Sequence, residues 1–201
     1  MPHAPLPPLP DDVAHVLVAA PPIRSDRHAP CRTLASPAGP PRDVILVTYR
    51  QPVPDHLVPR SGDAEPPRRV AVVHVGPETH GDALDADLAA LPMEVSVTSV
   101  PAADSLTELG MTIEGRLGDF ADGPRPVGLC FDSLTALSLY TGRRQTDRFL
   151  GWLRSRVDAV DGIAHYHADP AAHDLPPRER YADHFDAVVD VDEDGTVETG
   201  F

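Results

Sequence analysis

A three-layer α/β domain with a mainly parallel sheet is the fold class the sequence predicts. Short, nearly continuous apolar runs recur along the 201 residues, the pattern of strands covered on both faces. These runs alternate with stretches whose apolar residues return at helical spacing, which gives repeated β-α units. Two β-rich runs around Asp194-Gly195 in "AVVDVDEDGTVETGF" add a C-terminal hairpin. The length suits one hydrophobic core, so the chain divides into a Pro-rich, polyproline-like tail over residues 1–10 and a single domain over 11–201. Arg60–Pro67 reads as a surface loop, because the same pattern continues on either side of it.

In order, the predicted strands are His15–Ala20, Val44–Tyr49, Val70–Val75, Val95–Val100, Val127–Phe131 and Ile163–His167. A helix is predicted from Asp104, as N-cap, to about Phe120, with Leu106, Leu109, Ile113 and Leu117 on one face. A second runs over Arg143–Val160, burying Phe149, Leu150, Leu153 and Val157, with Trp152 beside them as a core or interface aromatic. A third, short helix starts at Pro177, a residue suited to a first turn, and reaches His184.

Charge narrows the function classes. The formal net charge is -14, and all 17 basic residues are Arg, with no Lys in the chain. Such an Ala/Val/Asp-rich, Arg-only chain fits a dense carboxylate surface in the salt-rich cytoplasm of a halophilic archaeon. High genomic GC content accounts for the Arg alone, not for the excess of Asp. No nucleic-acid or anionic-membrane partner is expected, since both attractions need clustered cations. No membrane span or signal-peptide hydrophobic region is read in the sequence, so a cytoplasmic protein is expected, with Cys31 and Cys130 as reduced thiols.

Chemistry concentrates at three places. In "RPVGLCFDSLTALSLY" a strand ends in Asp132, where open α/β sheets bind ligands. A carboxylate there can hold Mg²⁺ or a water beside a nucleotide phosphate; the plainer alternative is that Asp132 caps the next helix. Ser133 reads as a polar helix start, since no His is placed to make it a nucleophile. In "HYHADPAAHD", the spacing His165-x-His167-x-Asp169 resembles a metal-binding signature of metallo-β-lactamase-fold hydrolases, with His173 as a further ligand candidate. Strand alternation puts His165 and His167 on one face. Against that reading, Pro170 stands where a His is expected, and the motif falls late in the chain. Finally, Arg143, Arg144, Arg148, Arg154 and Arg156 form a basic stretch, read as a helix surface pairing with Asp147 and Asp158 rather than a partner-binding face.

The series "FDSLT…Y…RFL…DP.AHD…FD.VV.V..DG", together with "VILVTYRQP", resembles the RecA superfamily, in particular its haloarchaeal KaiC/GvpD-like branch. The resemblance runs from about Val70 to the C-terminus and is weaker before it. It implies a RecA-like, P-loop NTPase-type domain whose first strand leads into a GxxxxGK[ST] loop that cradles phosphates. Here that place is held by Ala20, "PPIR", Ser25, Asp26 and Arg27: both glycines are gone, two prolines remove amide donors, and no Lys exists to restore. The activating Glu that the resemblance implies after the second strand is replaced by Arg50 and Gln51. The nucleotide-site positions are then Arg24, Ser25, Arg27, Asp132 and Ser133. The expectation is a pseudo-ATPase without a cofactor, regulating through a protein partner or its own copies. The alternatives are an ATP/Mg-binding member, with Arg24 or Arg27 on phosphate, and a metal-dependent hydrolase on His165, His167 and Asp169.

Overall fold

Six apolar runs and the two β-rich C-terminal runs become strands, and each side of the resulting sheet is assembled from every second residue of those runs. In the computed structural model, which describes residues 10, 12–21, 41–49, 67–77, 91–172, 176–192 and 196–200, the strands are β1 (His15–Ala19), β2 (Asp43–Thr48), β3 (Arg69–Val75), β4 (Glu94–Val100), β5 (Val127–Asp132), β6 (Ile163–Ala168), β7 (Ala187–Val191) and β8 (Val197–Gly200). They form one sheet in the order β4-β3-β2-β5-β6-β1-β7-β8. Every pairing is parallel except that of β7 with β8, the hairpin the C-terminal sequence predicts. The Asp194-Gly195 turn and residues 1–9 of the Pro-rich tail lie outside the described residues.

The sheet is the middle layer of an α/β domain. One face carries Leu17, Ile45, Val73, Leu129, Phe131 and Tyr166, packed with the helices into the main core. On the other face, Val16, Val18, Val44, Leu46, Val72 and Cys130 are buried as well. The edge strand β4 alternates with partial exposure, as an edge should.

Four α-helices are described: α1 (Leu106–Ala121), α2 (Leu134–Thr141), α3 (Arg143–Asp158) and α4 (Pro177–Arg180). α1 buries Leu109, Ile113 and Leu117, as its spacing predicts. Its N-cap is Ser105 rather than the expected Asp104, because the first intrahelical bond runs from the Leu109 N–H to the Ser105 carbonyl, 3.0 Å. α2 has no bounds in the sequence reading beyond its start. It is split from α3 by Gly142, whose φ of 76° is open to glycine without strain and allows the chain to turn there. α3 buries Phe149, Leu150, Leu153 and Val157, and Trp152 packs on the core against Phe149, with ring centroids 5.6 Å apart. The predicted helix over Pro177–His184 is two pieces, α4 and a 3₁₀ turn over Ala182–His184. Between them Tyr181 turns its ring into the core.

The Arg-rich face of α3 pairs differently from the expectation. Arg143 meets Asp147 at 3.8 Å as predicted, but Arg154 bonds Asp186 at 2.9 Å and Arg156 meets Glu114 at 3.5 Å. Asp158 is taken instead by His15. Among the described residues, no helix is long and apolar enough to cross a membrane.

Candidate functional site

Parallel pairing lines up the C-terminal ends of β1, β6, β5 and β2, the edge where α/β sheets bind ligands. A cleft of about 270 Å³ opens there, walled by Ala20, Tyr49, Asp132, Tyr140, His167 and Asp169, among others. Asp132 is the last residue of β5 and is buried. The Asp132–Ser133 peptide is cis. Ser133 is the N-cap of α2, its Oγ accepting the Ala136 N–H at 3.2 Å, so the polar helix start read from sequence is found and the cap is Ser133 rather than Asp132, which still belongs to β5. The Asp169 N–H donates to Thr135 Oγ1 at 2.9 Å, tying the end of β6 to α2.

One wall is aromatic. Tyr49 stacks on Tyr140 with centroids 6.0 Å apart and planes 10° from parallel. Burial, with Tyr140 beside it, raises the Tyr49 hydroxyl well above the ordinary phenol range, so it stays protonated. At the rim, Leu139 is 80% exposed and Tyr140 55%.

Register reveals a feature of the site that the motifs did not. His167, Asp132, Thr48 and His74 are successive in-register partners across β6, β5, β2 and β3, and all four are buried. Four adjacent strands thus carry a polar residue near their carboxyl ends, on the face opposite the main core. Sequence reasoning missed Thr48 and His74; the signal was a polar residue closing an otherwise apolar strand in "VILVT" and "VVHV".

Two residues further back along β5 and β6, Cys130 stands opposite His165. The His165 and His167 rings lie 5.6 Å apart, on one face as alternation predicts. Cys130, His165 and His167 each offer a ligand atom, and these atoms all lie within 4.8 Å of one another. Asp169, the third candidate of the alternative HxHxD reading, is not among these three residues. The chain leaves β6 at Ala168 and turns, and the Asp169 carboxylate accepts the Ala171 N–H at 2.9 Å within that turn. Arg24, Ser25, Arg27, Cys31, Arg50, Gln51 and His173 lie outside the described residues.

The third polar centre is structural. At the opposite end of β1, His15 is fully buried, with Nε2 2.8 Å from Asp158 and Nδ1 3.3 Å from the Tyr166 hydroxyl. Burial lowers its pKa below the usual 6.5, outweighing the Asp158 hydrogen bond that favours the charged ring. Asp186 accepts the backbone N–H groups of Ala14 and His15 and an Arg154 bond. Burial pushes its pKa up, but the His15 N–H, the Arg154 side chain and the Ala14 N–H together bring it below the usual 3.8.

A family model described as a family of unknown function, DUF7504, matches residues 13–191. No curated protein matches the chain.

Proposed function

We propose, from the premise that the chain belongs to the family DUF7504, that it is a non-hydrolysing, RecA/KaiC-like pseudo-ATPase with a regulatory or signalling role exerted through protein contacts. The observation that carries this reading is the chemistry of the carboxyl-edge cleft. The described residues around it supply two carboxylates, Asp132 and Asp169, and the imidazole of His167, but no Arg. With no Lys anywhere, the chain lacks the compact ammonium that reaches nucleotide phosphates in a phosphate loop. Carboxylates repel a triphosphate. The apolar rim of Leu139 and Tyr140 is better suited to a protein surface.

One observation favours a second reading, an ATP-binding protein with an atypical loop: Asp132 is held where a carboxylate orders Mg²⁺ beside phosphate. Equilibrium binding of a fluorescent ATP analogue with Mg²⁺ in multimolar KCl, competed by unlabelled ATP, separates the two. The pseudo-ATPase reading expects no competable binding up to millimolar nucleotide. Micromolar, Mg²⁺-dependent binding that Asp132→Ala abolishes overturns it.

A further inference from the structure

We propose that Cys130, His165 and His167 form a thiolate–bis-imidazole site for a Zn²⁺-class ion, built into the sheet face beneath the carboxyl-edge cleft. The three side chains are fixed by β5 and β6, the central pair of the sheet, with Cys130 and His165 directly in register. All three are buried, at 3, 3 and 5% exposure. Their ligand atoms lie within 4.8 Å of one another. Tetrahedral Zn²⁺, with Zn–N near about 2.0 Å and Zn–S near about 2.3 Å, sets one sulfur and two nitrogens roughly 3.3–3.6 Å apart, so closure needs shifts of up to about 1.5 Å, within reach of side-chain rotation.

An independent observation points to a ligand. His165 Nε2 is buried and has no hydrogen-bond partner among the described residues. A buried imidazole nitrogen left so is costly, and a metal bond satisfies it. The donors choose the ion: one soft sulfur and two imidazoles suit Zn²⁺ and its tetrahedral stand-in Co²⁺, whereas Mg²⁺ and Ca²⁺ require oxygen ligands. Binding releases the Cys130 proton, and a dication with one thiolate and two neutral imidazoles leaves one positive charge. Asp132, the in-register neighbour of His167, supplies an opposing carboxylate nearby. His167 also walls the cleft, which gives an ion a route inward. This site is separate from the proposed absence of nucleotide binding, and each stands or falls alone.

The test is Co²⁺ titration of untagged, chelator-treated protein in a Cys31→Ser background, where Cys130 is the sole remaining thiol. The expected result is one equivalent bound, with intense visible bands of tetrahedral Co²⁺ and a near-ultraviolet thiolate-to-cobalt band, both bleached by Zn²⁺. Cys130→Ser should remove the charge-transfer band, and His165→Ala should weaken binding by more than about tenfold, since even outer-sphere losses cost 10–100-fold. Thiol-reagent kinetics give a readout on the unsubstituted sheet: Zn²⁺ should slow modification of Cys130. Co²⁺ bound without a sulfur band, binding unchanged by Cys130→Ser, or thiol reactivity indifferent to Zn²⁺ would each overturn the site.

Discussion

The two faces of β5 and β6 come from the same dozen residues and have opposite character. Toward the helices these strands present Val127, Leu129, Phe131, Ala164, Tyr166 and Ala168, all within the main core. Toward the other side they present Cys130, Asp132, His165 and His167, just as buried. Burial therefore does not distinguish a core from a site; the hydrogen-bonding capacity placed in it does. Apolar packing suffices for the first face, whereas buried polar groups such as those on the second must be given partners. That concentration lies at the carboxyl edge, where the cleft opens.

The largest effect should come from the apolar face. Phe131 is fully buried and touches Tyr49, Phe149 and Tyr166. Phe131→Ala should cost about 3–5 kcal/mol through lost transfer energy and the cavity left behind. Urea unfolding in KCl would show it as a lower midpoint with an unchanged slope. A loss under 1 kcal/mol would mean that the helix-side layer is not the core.

The two faces were not equally legible in the sequence. Apolar runs gave the strands to within a residue or two, because burial on both sides leaves no alternation to misread. Alternation also put His165 and His167 on one face. It could not supply Cys130, which lies 35 residues before His165 and becomes its neighbour only through the β5–β6 register. Asp169 entered the HxHxD candidates through its spacing alone, and in the structure it lies past the end of β6, with its carboxylate accepting the Ala171 N–H. The same limit hid the row from His74 to His167, four polar residues made adjacent by strand order alone. Asp132 was legible because a single strand end suffices to identify it. Asp104 was misplaced as a cap because two neighbouring residues, Asp104 and Ser105, both suit that role and only the bonding pattern chooses.

Two histidines sharpen the contrast, and the same substitution should act on them in opposite directions. His15, on the helix side, has both ring nitrogens engaged, by Asp158 and the Tyr166 hydroxyl. His15→Leu leaves the fully buried Tyr166 hydroxyl without that partner and should cost about 1–3 kcal/mol at pH 7. It should also flatten an acid transition. With a folded pKa below the ordinary 6.5, mainly from burial, His15 binds protons less readily folded than unfolded. Its contribution is complete above pH 6.5 and declines as pH falls from there toward the folded pKa. Asp186, also depressed, loses its contribution only below its ordinary 3.8. The wild type should therefore lose stability in two steps on acidification, and His15→Leu only in the lower one.

His165 faces the other way, and its Nε2 has no partner among the described residues. With chelator present, His165→Leu exchanges an unsatisfied buried nitrogen for carbon at similar volume, so stability should rise by about 1 kcal/mol. Adding Zn²⁺ should then reverse the order, since only the wild type gains from an ion that binds the folded state alone. Paired urea curves with and without Zn²⁺ measure both signs. A loss above 1 kcal/mol in chelator would make His165 a satisfied core residue like His15 and erase the difference between the faces. A gain that Zn²⁺ cancels would show that the second face gives up stability to keep a ligand in place.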